Sequence, residues 1–400
     1  MNILQICNKP PYPPHDGGSL ASYSLMRSFI RSGHSVTLLT MCTAKHQLSR
    51  DDRAELSKMV SLFTVDVDTS VNVFRLLVNL FFSRMPYNAE RFVSSRFNAE
   101  LSRLLLAKQF DMVQLEGLYL MPYATTIRQH SQARIVLRAH NVEHEIWDRI
   151  AANESGIFKK IYFRILSRRI NRFETASIDQ YDLLVPITER DLTTFRQMGN
   201  SRPAHVCPAA LDVDNRLEIR MPEGLPTLFF LGSLEWRPNQ EGLLWFTEHV
   251  LPAIVSLHSG ITLHVAGRNA PAWLVKRLTA GNVFFHGEVP DAKAFISNHD
   301  IMVAPCFSGG GMRVKIIEAM SCGKPVITTP IGAEGLGVQN EEHILVCATA
   351  NEFIEYLDCL VKFPDFYRKI GQGASVFTRD NFDSIKVTAE LIRFYTSNLT

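Results

Sequence analysis

The chain has 400 residues, of which 46% are hydrophobic and 20% charged, and its formal net charge is +2. This composition excludes a disordered chain, and the length predicts about two domains. Because the charge is nearly balanced, nothing in the composition supports a nucleic-acid partner.

The seven cysteines are scattered along the chain and form no Cys-x-x-Cys pair, which is typical of reduced thiols in the cytosol. The first residues, MNILQICNKPPYPP, lack the charged start and long apolar run of a secretory signal. The stretch at 71–82 comes closest to a membrane span, but Arg75 interrupts it. We therefore expect a cytoplasmic protein.

Short apolar runs alternate with amphipathic segments along the chain. Most runs are rich in β-branched residues and apolar on both faces, as in parallel strands buried between helices. The predicted strands are 3–7, 36–40, 112–115, 134–139, 182–187, 227–232, 261–267, 282–287, 300–305 and 325–329. This alternation predicts an α/β fold with two doubly wound Rossmann-like domains that face a central cleft.

The alternation pauses over the proline-containing segment 203–226. We therefore predict an N-terminal domain at 1–205, completed by a C-terminal helix at 381–400, and a second domain at 206–380. Asn381 or Ser384 is the expected cap of the final helix.

In the first domain, Gly17 and Gly18 lie between the first strand and an amphipathic helix. Glycines at a helix start let the backbone approach a ligand, and a tight strand–helix turn is the alternative. His140 follows the strand at 134–139, where parallel sheets bind ligands, and a structural histidine is the alternative. Asn141 is the expected cap of the next helix. Weaker strand-end candidates are Glu116, Thr188 and Glu189.

The segment 155–173 contains six basic residues and no acid, with isoleucines at near-helical spacing. Such a helix can lie on an anionic membrane surface at the inner face of the membrane. A core-facing helix with a solvated basic face is the alternative, and the sequence does not decide between them.

In the second domain, Arg237 and Arg268 each follow a predicted strand. The stretch FSGGGMRVKIIEAMSCGKPVI, 307–327, places three glycines before a helix that carries Arg313, Lys315 and Glu318. The free N–H groups of a helix start favour an anion, and a cation there can contact phosphate. An ordinary glycine turn with a Lys–Glu surface pair is the alternative.

Neither nucleotide-binding fingerprint is present, which argues against a dehydrogenase and a P-loop ATPase. Two Asp-x-Asp triplets, Asp66–Asp68 and Asp212–Asp214, are weak metal candidates. We predict no metal site.

Four features of the sequence occur together: two predicted domains, the GG loop, the strand-end histidine and the pattern G-x-R-x-K-x-x-E-A-M-x-x-G-x-P-V-I. In these features the chain resembles retaining glycosyltransferases of the GT-B fold, family four. The resemblance covers nearly the whole chain and is strongest over 227–340. It implies transfer of a sugar from a nucleotide diphosphate sugar to an acceptor hydroxyl, without a metal or other cofactor, in bacterial surface-glycan synthesis. The implied partners are the donor and a glycan or lipid-linked acceptor.

The resemblance also implies residue roles. His140 would contact the donor sugar and the reacting phosphate, Gly17 and Gly18 the diphosphate, and Glu318 the ribose. The remaining donor-site residues it implies are Gly287, Glu288 and Val289 for the base, and Gly332, Ala333 and Glu334 in a loop that lines the same site. Independently of the resemblance, Gly310 and Gly311 are binding candidates because glycines let the backbone approach a ligand closely.

The sequence departs from the family pattern at three places. Gly310 stands where a glutamate is usual, Gly232–Ser233 where Gly-Arg is usual, and 208–211 where Pro-Asn-Gly-Val is usual. We therefore expect Arg237, Arg313 or Lys315 to take the phosphate-binding role. A sugar-nucleotide epimerase of the same fold and a non-catalytic partner subunit are the alternative functions.

Overall fold

The computed structural model describes residues 1–14, 16–212, 219–279, 281–308 and 312–399. The chain divides into two compact units. The first is formed mainly by Met1–Ala210 and Ser384–Thr400, and the second by Leu211–Gly309 and Arg313–Asp383. These divisions lie within about five residues of the boundaries expected from the sequence.

The first unit is built on a six-stranded parallel sheet with the order β3-β2-β1-β4-β5-β6. Its strands are β1 (Asn2–Cys7), β2 (Ser35–Cys42), β3 (Ser61–Asp66), β4 (Met112–Glu116), β5 (Arg134–Ala139) and β6 (Leu183–Pro186). Its helices are α1 (Gly17–Arg31), α2 (Arg50–Met59), α3 (Val73–Phe82), α4 (Tyr87–Glu90), α5 (Ser95–Ala107), a 3₁₀ helix (Leu118–Tyr123), α6 (Ala124–His130), α7 (Glu143–Asn153), α8 (Ile157–Ser177) and α9 (Glu189–Gln197).

The second unit repeats this architecture, with the strand order β12-β11-β10-β7-β8-β9. Its strands are β7 (Leu228–Leu231), β8 (Leu263–Ala266), β9 (Val283–Gly287), β10 (Ile301–Ala304), β11 (Val326–Thr328) and β12 (Leu345–Val346). Its helices are α10 (Arg237–His249), α11 (Leu251–Leu257), α12 (Ala272–Leu278), α13 (Ala292–Ser297), α14 (Val314–Ser321), α15 (Pro330–Ala333), α16 (Ala350–Lys362) and α17 (Pro364–Phe382). The predicted fold class of two doubly wound α/β units is confirmed.

Alternation along β1 explains why both faces of the first sheet are covered. Ile3 and Cys7 belong to one buried cluster with helix α1, whereas Leu4 and Ile6 belong to the cluster on the opposite face. Gln5 is a buried polar residue on the α1 side of this strand, and its amide donates to the main-chain oxygen of Ser22 in that helix.

The last helix, α18 (Ser384–Ser397), belongs to the first unit. Leu391 and Tyr395 pack in the same buried cluster as Phe29 of α1, and the Tyr395 hydroxyl donates to Gln114 in β4 at 2.7 Å. Ser384 is the first residue of this helix, but the proposed cap Asn381 was wrong. It lies inside α17 and donates to the main-chain oxygen of Phe377.

Two strands were not predicted. β3 carries only half-buried side chains at its centre, and β12 has two residues, so neither forms a long apolar run. Within the part of the chain that the structure describes, no helix is long and apolar enough to cross a membrane.

Candidate active site

In each sheet the strand order reverses next to the strand that begins the unit, between β1 and β4 in the first unit and between β7 and β10 in the second. The connections from these two strands leave toward opposite faces, so a crevice forms at their carboxyl ends. The candidate residues of each unit are located relative to these strand ends.

In the first unit, Glu116 ends β4 and is buried beside β1. Its carboxylate accepts hydrogen bonds from Gln5 Nε2 at 2.8 Å, from Ser22 Oγ at 2.8 Å and from His140 Nε2 at 2.7 Å. A buried carboxylate with several donors is the arrangement that offsets the cost of removing it from water. Glu116 is therefore the centre of a polar network that the sequence indicated only weakly.

The charge on this carboxylate has a buried counterpart. The Arg138 guanidinium lies 3.6 Å from Glu116, and both side chains are almost completely buried. Burial would raise the pKa of Glu116, but the hydrogen bond from His140 and the charge of Arg138 lower it to about 2. Glu116 is consequently ionised at neutral pH.

An ionised Glu116 orients the ring of His140. Since the carboxylate can only accept, His140 Nε2 carries the proton that it donates. In its neutral form the ring then presents the lone pair of Nδ1, which faces the start of α1. A side-chain carbon on Gly18 would stand 3.7 Å from this atom. The structure thus brings His140 and Gly18, two of the predicted site residues, close together at the carboxyl edge of the first sheet.

Gly17 and Gly18 are the first two residues of α1, and Asp16 caps the helix by accepting from the amide of Ser19. Lys9 forms an ion pair with Asp16 at 2.5 Å. Burial would raise the pKa of Asp16, but Lys9 and the Ser19 amide hold it well below its usual range. The helix start is therefore already occupied by one paired carboxylate.

Asn141, the expected helix cap, and Thr188, a strand-end candidate, both have roles other than those expected. Asn141 is not the cap of α7, because Val142 occupies that position and the carboxylate of Glu174 in α8 accepts from the Glu143 amide at 3.0 Å. Thr188 caps α9 by accepting from the Asp191 amide, which gives it a structural role.

In the second unit, Lys315 lies in the first turn of α14, which follows β10. Its ammonium donates to Asn239 Oδ1 of α10 at 2.8 Å and stands 4.3 Å from the centre of the Phe230 ring in β7. Burial lowers the pKa of Lys315. Lys315 therefore points to the strand ends at the reversal point, and it does not form the surface pair with Glu318 that was the alternative.

The same strand ends bring two glycine turns into contact. A side-chain carbon on Gly267 would come within 2.0 Å of the main-chain oxygen of Gly232, and one on Gly232 would stand 3.3 Å from Lys315 Nζ. Next to them, Ser233 Oγ and Arg268 Nε are buried and accept or donate no hydrogen bond among the described residues. Both atoms remain available to a polar ligand.

Glu318 lies one turn further along α14. Burial raises its pKa to about 7, although the charge of Lys293 opposes the shift. A carboxyl held in this way can accept hydrogen bonds from sugar hydroxyls, at a cost to the stability of the unliganded protein.

The other two cations proposed for phosphate binding are placed differently. Arg313 is the residue before α14, and its guanidinium lies 3.5 Å from the main-chain oxygen of Ile331. Arg237 begins α10 and is 63% exposed, where it forms an ion pair with Glu241 at 2.8 Å. Of the three candidates, Lys315 is the one whose charge faces the strand-end glycines.

The remaining predicted positions lie on neighbouring strand ends of the second unit or outside the described residues. Gly332 is buried in α15 against Thr328 of β11, with Ala333 and Glu334 following it. Gly287 ends β9 with φ near 68°, so the chain turns at the exposed Glu288 and the half-buried Val289. Gly310, Gly311 and the weak metal candidate Asp214 lie outside the residues that the structure describes.

Residues 225–362 of this chain match a known protein family, which is described as glycosyl transferases group 1. The chain is 23% identical to an uncharacterized 44.6 kDa protein in the cps region of Klebsiella pneumoniae, over 98% of this chain and 99% of the relative.

Two solved structures share the fold. HepE of Anabaena, crystallised with UDP, is 13% identical with a TM-score of 0.69, covering 99% of this chain and 100% of HepE. Sucrose-phosphate synthase of Thermosynechococcus elongatus is 14% identical with a TM-score of 0.71, covering 99% of each chain. These likenesses concern the arrangement of the strands and helices.

Glu318 gives a pH-dependent prediction. Its folded-state pKa lies above that of an unfolded glutamate, so the wild-type protein loses stability as pH rises from about 4.5 through 7. Glu318→Gln removes this loss. We expect the variant to exceed the wild type in free energy of unfolding at pH 8 by up to roughly 3 kcal/mol, with no such gain at pH 4.5. Urea denaturation at both pH values measures it.

Glu355→Gln is the matched control, because Glu355 is an exposed glutamate of the same unit. It should leave the stability unchanged within about 0.5 kcal/mol at both pH values. A gain for Glu318→Gln that is the same at pH 4.5 and pH 8 would show that Glu318 does not titrate near neutral pH.

Proposed function

We propose that this chain, which is a group 1 glycosyltransferase of the GT-B fold, moves a sugar from a nucleoside diphosphate sugar to an acceptor hydroxyl. The transfer retains the anomeric configuration and uses no metal at the reacting phosphates. The product is part of a bacterial surface glycan, a role supported by the relative from the cps region of Klebsiella pneumoniae. A UDP-sugar is the proposed donor, since HepE of the same fold was crystallised with UDP-glucose.

The observation that carries this proposal is the half-buried ammonium of Lys315 at the carboxyl ends of β7 and β10. In the transfer, the bond from the anomeric carbon to the diphosphate oxygen breaks and a bond to the acceptor oxygen forms. The nucleoside diphosphate leaves with the bonding electron pair, and the acceptor loses its proton. A fixed positive charge at the leaving oxygen lowers the barrier, and it does so most strongly where water is excluded.

The other strand-end groups fit the same donor. Arg268 Nε and Ser233 Oγ, which have no hydrogen-bond partner among the described residues, bind phosphate or ribose oxygens in this proposal. Glu318 accepts from the ribose hydroxyls, and the backbone of Glu288 and Val289 holds the base. No other cofactor is required for this chemistry.

The first unit contributes the orienting network at β4. Glu116 fixes His140 with its Nε2 proton inward, so that Nδ1 is the atom presented to a sugar hydroxyl or, when the ring is protonated, to a phosphate oxygen. Glu116 is therefore proposed as a positioning residue for His140, and His140 as the residue that contacts the donor.

Donor turnover tests the proposed function. The protein is incubated with UDP-, GDP-, dTDP- and ADP-sugars and candidate acceptors, and release of the nucleoside diphosphate is followed. Lys315→Met keeps the apolar stem but removes the charge, so we expect kcat/KM for the donor to fall about 100- to 1000-fold. Arg237→Ala should change it little, because its guanidinium faces Glu241.

Lys276→Met is the matched control, since Lys276 is an exposed lysine of α12 in the same unit. Added Mg²⁺ or Mn²⁺ should not raise the rate, and the product should keep the donor's anomeric configuration by NMR. Absence of turnover and binding with every donor would refute the function. Full activity of Lys315→Met would refute the role of Lys315 alone.

We also propose that the first unit contacts an anionic membrane surface through α3 and the amino-terminal half of α8, named here the α3–α8 surface. Its apolar side chains are unusually exposed for their size. The exposed fractions are 75% for Phe74, 74% for Phe81, 86% for Phe82, 68% for Ile157, 85% for Phe158 and 50% for Ile161.

Three observations support this surface. The two helices are joined, because the Arg169 guanidinium donates to main-chain oxygens of Asn79 and Met85 beside α3. The segments 71–84 and 155–173 contain eight basic residues and no acid, which complements anionic lipid. The ten residues of α3 span about 15 Å, so this helix can lie in the interface but not cross it.

The carboxyl-terminal half of α8 matches the alternative interpretation of the sequence, a core-facing helix with a solvated basic face. Leu166 and Ile170 are buried, so this half faces the core while Arg168 and Arg172 remain exposed. The lipid proposal therefore concerns the amino-terminal half of the helix together with α3.

Co-sedimentation with vesicles tests the α3–α8 surface. Lys159→Gln/Arg164→Gln removes two exposed charges of the amino-terminal half of α8 worth about 1 kcal/mol each, so partition onto anionic vesicles should fall roughly 30-fold. Phe81→Ser/Phe82→Ser should also release the protein, whereas Leu257→Ser, an exposed apolar residue of the second unit, should not. Failure of the wild type to bind anionic vesicles at low salt, or equal binding to neutral vesicles, would refute the proposal.

A further inference from the structure

Three histidines of the second unit come together although they are distant in sequence. His264 lies in β8, His286 in β9 and His299 between α13 and β10. One ring nitrogen of each lies within 4.8 Å of the other two. His264 Nδ1 and His286 Nε2 are 2.9 Å apart. In the described part of the chain, no other group of three such side chains is close enough to hold a metal ion.

Two of the three rings are oriented by a contact between their second ring nitrogen and an oxygen atom. His299 Nδ1 donates to the main-chain oxygen of Phe295 at 2.7 Å, which leaves the lone pair of Nε2 free of the proton. His264 Nε2 lies 3.1 Å from the hydroxyl of Thr262, which leaves Nδ1 facing His286. A histidine that binds a metal through one nitrogen and a main-chain or hydroxyl oxygen through the other has this pattern.

Aromatic side chains hold the same rings in place. Phe284 stacks on His264 with centroids 5.1 Å apart, and the ring centroids of Phe295 and His299 are 4.4 Å apart. The rings are therefore fixed before any ligand arrives. The 2.9 Å contact between His264 Nδ1 and His286 Nε2 is a hydrogen bond in which one ring donates a proton, and an ion bound between the rings would take the place of that proton.

The cluster is close in size to a tetrahedral transition-metal site. Two nitrogens bound at about 2.0–2.1 Å in such a site are about 3.3 Å apart. His264 and His286 are 2.9 Å apart and all three nitrogens lie within 4.8 Å of one another, so small side-chain shifts would complete the site. Three imidazoles favour Zn²⁺, Ni²⁺ or Cu²⁺ and not Mg²⁺ or Ca²⁺. His286 is exposed, so water can reach the fourth position.

We propose that His264 Nδ1, His286 Nε2 and His299 Nε2 form a site for a divalent transition-metal ion of the Zn²⁺ class. The ion would tie the edge strand β9 to β8 and to the segment that leads into β10. His286 directly precedes Gly287 and Glu288, so the ion would also brace the turn that follows β9. The site shares no residue with the strand-end cluster around Lys315 and does not depend on the proposed function.

Metal titration of the full-length protein, without an affinity tag and after removal of bound metal, tests this site. Isothermal titration with ZnCl₂ should give one ion per chain, and the ion should raise the Tm. His286→Ala alters an exposed side chain, so it should fold, and it should weaken Zn²⁺ binding at least about tenfold. His249→Ala, an exposed histidine of the same unit, is the matched control and should bind as the wild type does.

When Co²⁺ replaces Zn²⁺, the absorption spectrum identifies the type of ligand atom that binds the ion. The expected absorption is that of a tetrahedral ion with nitrogen and oxygen ligands, without the strong near-ultraviolet band of cobalt–thiolate bonds. No saturable Zn²⁺ binding by the wild type would overturn the proposal. Equal affinity of the wild type and His286→Ala, or a thiolate band, would overturn it as well, because the ion would then be bound elsewhere.

Discussion

A parallel sheet whose strand order reverses at its centre leaves two neighbouring strand ends with connections that depart to opposite faces. Both units of this protein are built on that order, so each has one such place. The first unit fills it with the carboxylate of Glu116, and the second with the ammonium of Lys315. The neighbouring candidate residues are arranged around these two charges, either as their hydrogen-bond partners or as groups that they orient.

The two charges differ in how completely hydrogen-bond partners compensate them. Glu116 is almost fully satisfied, with four hydrogen-bond donors and Arg138 nearby, which makes its network a rigid support for His140. Among the described residues, Lys315 contacts one amide oxygen and one aromatic ring, so its positive charge is only partly compensated there. A charge that is partly removed from water and has few partners costs stability until a ligand of opposite charge arrives, which is the property expected of a group that binds phosphate.

Much of this could be predicted from the sequence because parallel strands buried on both faces leave an unbroken apolar run, and because glycines mark the turns after them. All ten predicted strands are present, and His140, Lys315 and Glu318 all lie at or after the expected strand ends. β3 and β12 were not predicted because their half-exposed or very short segments lack that apolar run.

What could not be predicted depends on contacts between distant segments. The cap of α7 is a carboxylate 31 residues away, and no local rule would choose Glu174 over Asn141. The selection among Arg237, Arg313 and Lys315 required side-chain directions, since all three lie near helix starts. The three histidines meet only because β8, β9 and the segment before β10 are neighbours in the folded unit.

The proposed function requires the second unit to bind a nucleoside diphosphate at the carboxyl ends of its strands. Hydrogen exchange measured by mass spectrometry with and without saturating UDP tests this binding. We expect slower exchange at the ends of β7 and β8, in the first turns of α14 and after β9, with little change in helices α11 and α16. Unchanged exchange at the strand ends in the presence of bound UDP, or protection confined to other segments, would contradict it.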